Sequence, residues 1–131
     1  MIKEKDRAKQ QAKAQLSSII GMVVGMESTK DDDKQQEAAL RIIQEDPLSV
    51  EVRTGWYTPG SKDNTEPAEY NILLCTGGPA CRIIGDLDRY GEPESARIEY
   101  QDWGTPWTEY RIDSEEEAKV LLYARQFFFG S

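Results

Sequence analysis

The fold is decided by residues 70–87, which read YNILLCTGGPACRIIGDL. Two largely apolar runs, 70–76 and 81–87, flank a short segment rich in glycine and proline, and such segments favour a turn between two strands. Apolar residues are consecutive at 72–74 and at 83–84, so neither run alternates cleanly between apolar and polar residues. Consecutive apolar residues are typical of strands covered on both faces, and we predict that this hairpin is the centre of a sheet.

Three further strands are predicted around this hairpin. Residues 49–58 alternate between two sets of side chains, with Val50, Val52 and Trp56 in one set, which is strand spacing. The last two strands form a hairpin with its turn at 104–106. The predicted cross-strand pairs are Trp103 with Trp107, Gln101 with Glu109, Glu99 with Arg111, Arg97 with Asp113, Tyr100 with Tyr110, and Ile98 with Ile112. In this register opposite charges face one another, and each such pair contributes about 0.2–1 kcal/mol.

Helices are predicted on both sides of the strands. Apolar residues recur at helical spacing within residues 1–46, in two segments that form a helical hairpin ended by Pro47. Ser114 and Glu117 have the spacing of a capping box and begin a last helix through about Phe128. We therefore predict one domain of the α+β class. Its three parts are a helical hairpin in 1–46, a five-stranded antiparallel meander in 47–113 and a C-terminal helix in 114–129.

The composition excludes several classes of function. The chain of 131 residues has 24 acidic residues, 16 basic residues and no histidine, for a net charge of −8. Direct binding of nucleic acid through a broadly basic surface is therefore not expected. The lack of histidine excludes zinc sites of mixed Cys/His type and Ser-His-Asp or Cys-His catalysis. We predict no catalytic residues, no metal site and no cofactor, and hence a protein that is not an enzyme.

The two cysteines and the N-terminal segment indicate the cellular compartment in which the protein is expected. Cys75 and Cys81 flank the central turn symmetrically and are expected to face one another, as free thiols or as a disulfide. The chain begins with charged residues, and its most apolar early run, 16–26, is too short to span a bilayer. These features predict a cytoplasmic protein with reduced thiols and no membrane association.

The negative charge is concentrated in residues 86–117, which contain 11 acidic and three basic residues. The difference, −8, equals the net charge of the whole chain. Carboxylates aligned on one surface can mimic phosphates and occupy the basic channel of a nucleic-acid-binding protein. A solvated acidic face with helix capping is the simpler interpretation. The candidate acidic residues for binding a partner are Asp86, Asp88, Glu92, Glu94, Glu99 and Glu109.

Aromatic and glycine residues supply three other candidate sites. Trp103, Trp107 and Tyr110 are candidate anchors of a protein interface, unless a helix covers them as a small core. Alternatively, a nucleotide signal would stack on a tryptophan and bind arginine through its phosphate. The residues for that alternative are Trp56, Arg82, Arg97 and Arg111. Gly21 and Gly25 lie one helical turn apart and would let a neighbouring helix or a second copy approach closely, so a homodimer through the N-terminal helix is expected.

Three segments carry a resemblance to a known group of proteins. They are ILLCTGGPA (72–80), YQDWGTPWTEY (100–110) and ARQFFFG (124–130). With them, residues 47–130 resemble small uncharacterised proteins encoded in bacteriophages and prophages. The resemblance implies an accessory protein of a mobile element that acts in a bacterial cytoplasm. Compact acidic proteins of that class often inhibit host defence nucleases by direct binding.

The expected function is therefore binding and inhibition of a host protein that handles nucleic acid, such as a component of CRISPR or restriction defence. Binding of a small nucleotide signal is the alternative from a different class. A structural or assembly role in the virion is also left open by the small size and the charge.

Overall fold

The computed structural model describes residues 4–61 and 66–130. Three helices and five strands follow one another in the predicted order. They are α1 (Glu4–Ser28), α2 (Asp33–Glu45), β1 (Ser49–Thr54), β2 (Pro67–Cys75), β3 (Ala80–Asp86), β4 (Arg97–Gln101), β5 (Thr108–Tyr110) and α3 (Ser114–Ala124). Neighbouring strands pair antiparallel in the sheet order β1-β2-β3-β4-β5, which is a meander. The predicted α+β fold is confirmed.

All three helices contribute to a core on one face of the sheet. The stripe of α1 that is buried recurs every three or four residues, as expected for one side of a helix. It consists of Ala8, Ala12, Leu16, Ile19, Val23 and Met26. These residues form one apolar cluster with Ile43 of α2, Val120 of α3 and the inward side chains of the central strands, such as Ile83 and Ile98. We call this side of the sheet the core face.

The opposite face of the sheet, the open face, corrects one prediction. Both faces of the central hairpin were expected to be covered, but the buried helix residues all belong to the cluster on the core face. The open face carries charged and amide side chains. They are Glu51, Arg53, Glu69, Asn71, Arg82, Arg97, Glu99, Gln101 and Glu109. Ile84 lies among them and is still buried, because the stems of long charged side chains shield apolar surface from water.

The register of the last hairpin was predicted wrongly by two residues. Tyr100 pairs with Thr108 and Ile98 with Tyr110, so Glu99 faces Glu109 instead of Arg111. The reason is the turn, which forms earlier than expected around the buried Asp102. The Asp102 carboxylate accepts the Trp103 N–H at 2.8 Å, and Thr105 N–H donates to the Asp102 carbonyl at 3.1 Å. Trp103 therefore lies within the turn and not opposite Trp107.

Element ends also differ from the predictions at three places. Asp113 instead of Ser114 is the N-cap of α3, and its carboxylate and the N3 residue Glu116 form the capping box. The same helix ends at Ala124, four residues before the predicted Phe128. Strand β1 stops at Thr54 instead of continuing to residue 58, at a point where its pairing with β2 shifts register. No helix within the described part of the chain is long and apolar enough to cross a membrane.

Candidate functional site

Two arginines share one carboxylate at the centre of the open face. Arg82 and Glu99 are directly opposite one another on β3 and β4. The Nε and Nη2 atoms of Arg82 donate to Oε1 of Glu99 at 2.9 and 2.7 Å, and Arg97 Nε donates to Oε2 at 3.3 Å. The Arg82 and Glu99 side chains are only 20% and 14% exposed, so solvent weakens this interaction less than it weakens an ion pair at the surface.

A second ion pair lies at the β1–β2 end of the same face. Arg53 and Glu69 are opposite residues of these strands, and the Arg53 guanidinium donates a hydrogen bond to the Glu69 carboxylate. That hydrogen bond holds the pKa of Glu69 below its usual value and raises the pKa of Arg53. The pair is more exposed than the one at Arg82, because Arg53 has 70% of its side chain in solvent.

A depression of about 340 Å³ separates the two ion pairs. Asn71 and Ile84, which are paired across β2 and β3, line it together with arginines 53, 82 and 97. The Oδ1 atom of Asn71 is buried and accepts no hydrogen bond, an arrangement that costs free energy in a folded protein. Three guanidinium groups therefore line one depression, but each is already bound to the carboxylate of Glu69 or Glu99.

The tryptophans predicted as anchors lie at the end of the sheet that carries the two turns 76–79 and 102–105. The Arg82 guanidinium lies 4.1 Å from the ring centre of Trp107, which is half-buried on the open face. Trp103 is 79% exposed, and its indole Nε1 lies 4.0 Å from where a Cβ atom of Gly78 would be. We call Arg82, Glu99, Trp103 and Trp107 the tryptophan patch. A large exposed aromatic beside a stacked arginine is typical of protein interfaces.

Tyr110 is not part of this patch. It pairs with Ile98 on the core face and packs against the apolar cluster under α1. The alternation of side chains along β5 separates it from Trp107 and Glu109, which belong to the open face. The Tyr110 side chain therefore contributes to the core.

The acidic residues predicted to act together fall into separate places. Glu99 is bound by two arginines, and Glu109 is exposed on the edge strand opposite it. Of the other four, Asp86 is the last residue of β3, and the remaining three lie in the connection from β3 to β4. We call Asp86, Asp88, Glu92 and Glu94 the acidic loop. Asp88 is used locally, since its carboxylate accepts the N–H groups of Tyr90 and Glu92 at 2.8 and 3.0 Å.

The acidic loop and the two tryptophans of the patch lie at opposite ends of the sheet. Ala80 pairs with Gln101 at one end of β3, and Asp86 ends the strand at the other. Six steps along a strand correspond to about 20 Å. The acidic loop and the exposed indole of Trp103 therefore do not form one continuous patch.

The residues predicted for a nucleotide ligand are also dispersed. Trp56 is fully exposed after β1 and lines a groove with Tyr57, Asp86 and Glu94 at the acidic end of the sheet. That groove contains Arg53, but not Arg82, Arg97 or Arg111. Arg111 follows β5 and is exposed. Only Arg82 and Arg97 are brought together, by their common contact with Glu99.

Gly21 and Gly25 lie in an apolar groove of about 520 Å³ between α1 and α2. Apart from the neighbouring backbone of α1, no heavy atom lies within 4 Å of where a Cβ atom would be at either glycine, so no close approach within the chain requires glycine there. Ile42 lines the same groove and is 58% exposed. The groove is open to a further helix.

The sequence interpretation missed the part of the open face formed by β1 and β2. Arg53, Glu69 and Asn71 become neighbours only when these strands pair across the intervening loop, and no short turn signals that pairing. The charge alternation Glu51-Val52-Arg53 was the only indication in the sequence that one side of β1 is charged. Within residues 4–61 and 66–130, no group of acidic or cysteine side chains is arranged to hold a metal ion.

Comparisons with known proteins add no family. The sequence matches no protein-family model and no curated protein, and no solved structure matches the chain.

Proposed function

We propose that this protein is a binding protein without catalytic activity, which inhibits a host protein through the tryptophan patch. The observation that carries the proposal is the exposure of Trp103 at the same end of the sheet as the Arg82–Trp107 stack. Exposed tryptophan costs free energy in the unbound protein, and tryptophan and arginine are enriched among the residues that dominate binding energy. Burial of the Trp103 indole by a partner would recover that free energy.

The acidic loop supports a more specific form of this proposal, in which the partner is a protein that handles nucleic acid. Glu92 and Glu94 are exposed at the far end of the sheet. A net charge of −8 attracts a basic surface over distances larger than contact, and salt weakens this attraction. The tryptophan patch then supplies contacts at short range, while the loop accelerates association.

The test is capture of the partner from bacteria that carry a defence system, with matched tryptophan variants. Trp103→Ala is expected to lose the captured protein, whereas Trp56→Ala is the control, because Trp56 is even more exposed to solvent but lies at the other end of the sheet. Phage plating on the same bacteria measures inhibition of the defence. Retention of both partner and inhibition by Trp103→Ala would contradict the role of the patch.

Neutralising the acidic loop tests separately whether its charge accelerates association with the partner. With Glu92→Gln and Glu94→Gln together, we expect a slower association rate at low salt and an almost unchanged dissociation rate. The control is the pair Glu115→Gln and Glu117→Gln, which removes the same charge from the start of α3. A change confined to the dissociation rate would place the loop in the contact itself and contradict steering.

A nucleotide signal is the second candidate ligand, because three guanidinium groups line the depression at Asn71. An anion entering it competes with the carboxylates of Glu69 and Glu99 for these arginines. A thermal-shift screen with cyclic nucleotides tests this candidate, since a bound ligand raises the melting temperature. Arg97→Gln should abolish the shift, and Arg111→Gln serves as the control outside the depression.

A homodimer through the groove at Gly21 and Gly25 is also proposed. The groove is apolar, and Ile42 and Val24 are exposed at and beside it. Ile42→Glu is expected to dissociate the dimer in sedimentation experiments. Leu48→Glu is the control, because Leu48 is 61% exposed but lies outside the groove. A wild-type chain that sediments as a monomer at high concentration would contradict the dimer.

A further inference from the structure

Cys75 and Cys81 are held opposite one another by the central hairpin. They are directly paired residues of β2 and β3, as predicted, and both are free thiols. Directly paired residues of an antiparallel ladder have Cα atoms about 4.5–5.5 Å apart, and disulfides span Cα separations of about 4.4–6.8 Å. The pairing follows a register shift after Leu73, and the side-chain hydrogen bond between the two thiols places them within reach of a disulfide.

The two thiols differ in their access to solvent. Cys81 has none of its surface exposed, whereas Cys75 is partly exposed at the beginning of the turn 76–79. Burial raises the pKa of the Cys81 thiol, and the neighbouring Cys75 raises it further through its charge and a hydrogen bond between the side chains. A solute that reacts with thiols therefore reaches Cys75 first, with Cys81 in contact behind it.

We propose that this pair is an oxidation site, at which a peroxide converts the two thiols into a disulfide within the chain. The Cys75 thiolate attacks one peroxide oxygen, the O–O bond breaks, and Cys75 becomes a sulfenic acid. The Cys81 sulfur then attacks the Cys75 sulfur, so that the S–S bond forms as the S–O bond breaks. With hydrogen peroxide, two thiols lose two electrons and two protons, and the peroxide becomes two water molecules.

The disulfide would act on the turn that supports Trp103. The pair closes a ring of seven residues that contains Gly77 and Gly78, whose φ angles are +98° and +129°. The position of a Gly78 Cβ atom lies 4.0 Å from Nε1 of Trp103. A disulfide across the base of this turn restricts the movement of the turn. The surroundings of the Trp103 indole, which lies beside the turn, therefore change. Oxidation is thereby coupled to the exposed indole through the turn.

The test treats the wild-type protein with hydrogen peroxide and maps the product by mass spectrometry. We expect a loss of the mass of two hydrogen atoms, a peptide pair linked through Cys75 and Cys81, and recovery of both thiols with a dithiol reductant. Two free thiols after peroxide treatment would overturn the proposal. Oxidation of Cys75 to sulfinic acid with Cys81 still free, or linkage between two chains only, would overturn it as well.

Two cysteine variants assign the order of the steps. With Cys81→Ser, we expect the reaction to stop at a sulfenic acid on Cys75, which dimedone traps. With Cys75→Ser, we expect the buried Cys81 to react many times more slowly. Equal reaction of both single variants would overturn the order in which Cys75 is attacked first, and the peptide map of the wild type remains decisive if either variant does not fold.

The coupling to Trp103 is measured in a chain that keeps only this tryptophan, through Trp56→Phe and Trp107→Phe. We expect a shift of its fluorescence on oxidation that the dithiol reverses. The same chain with Cys75→Ser is the control and should show no shift. Formation of the disulfide with an unchanged spectrum would overturn the coupling of the oxidation site to the indole.

Discussion

The guanidinium of Arg82 lies 4.1 Å from the ring centre of Trp107 and at the same time donates two hydrogen bonds to the carboxylate of Glu99. One planar group therefore connects the aromatic ring of the tryptophan patch to the neighbouring strand β4. A planar guanidinium can stack on an aromatic ring and donate two hydrogen bonds to a carboxylate at the same time, which a lysine ammonium cannot do. The half-buried ring of Trp107 is consequently held in place by contacts within the chain.

The coupling between Arg82 and Glu99 should exceed that of an ordinary surface pair. A double-mutant cycle with Arg82→Met and Glu99→Gln, measured by urea unfolding, is expected to give a coupling free energy of about 1–2 kcal/mol. The reason is that both side chains are largely shielded from solvent. The exposed helical pair Glu37 and Arg41 is the matched control and should give about 0.3–0.5 kcal/mol. Equal couplings in the two cycles would contradict the importance of shielding.

Gly85 is expected to tolerate no side chain. A Cβ atom there would lie 2.0 Å from the Ser95 carbonyl oxygen and 2.9 Å from a ring carbon of Tyr70. That carbonyl is fixed in place, since it accepts a hydrogen bond from the Tyr70 hydroxyl at 2.7 Å. Gly85→Ala should lower the free energy of unfolding by about 3 kcal/mol or more.

The matched control for that substitution is Gly21→Ala. The space around the Gly21 Cα is open, and alanine is the better helix former, so this variant should gain about 1 kcal/mol in urea unfolding at low protein concentration. A Gly85→Ala chain as stable as the wild type would show that the β3–β4 connection moves away from the sheet easily.

The pair Arg53–Glu69 predicts a contribution to stability that depends on pH. Its hydrogen bond lowers the pKa of Glu69 from 4.5, so the stabilisation is fully present above pH 4.5 and is lost as the pH falls through the lowered value. Glu69→Gln should therefore cost about 0.2–1 kcal/mol near pH 6 and almost nothing at strongly acidic pH. Urea unfolding of both chains across that range measures the difference.

Glu51→Gln is the control for the acid experiment. Glu51 is exposed on the same strand pair and forms no ion pair among the described residues. Its substitution should cost less stability near pH 6 than Glu69→Gln does, because no ion pair of the described residues is lost. If Glu69→Gln loses the same amount of stability at every pH, the loss comes from packing and not from the charge of the Glu69 carboxylate.

The hydroxyl of Tyr123 should contribute to the docking of α3. Tyr123 is fully buried and donates to a carboxylate oxygen of Asp46 at 2.7 Å, which connects α3 to the end of α2. Tyr123→Phe is expected to cost about 1.5–3 kcal/mol, the range for hydrogen bonds to charged groups. Asp46→Asn keeps an acceptor and should cost less. Equal losses from the two substitutions would contradict a specific role for the negative charge.

Local sequence signals predicted most of the fold. The Gly-Gly turn between two apolar runs predicted the central hairpin and the pairing of Cys75 with Cys81. Pro47 predicted the end of α2. The register of the last hairpin was not predictable from charge pairing, because the hydrogen bonds of Asp102 fix the turn and Glu99 finds its arginines on β3 and on its own strand. The charged residues therefore did not determine how β4 pairs with β5.

The candidate site was predicted less completely than the fold. Trp103 and Trp107 were identified from their residue types, but the placement of Tyr110 on the core face required the observed register. The acidic residues were counted as one stretch of sequence, although a strand separates the acidic loop from the tryptophan patch in space. The depression at Asn71 depends on the pairing of β1 with β2 across a long loop, which no local pattern encodes.

The length of β3 sets how far the two ends of the molecule are from one another. Because about 20 Å separates them, substitutions of Glu92 or Glu94 and of Trp103 should have free-energy effects that add. Under the proposed function, the end that would bind the partner can thus acquire new side chains without altering the end that would attract it. A strand of seven residues, Ala80–Asp86, in this way keeps changes at the acidic loop independent of changes at Trp103.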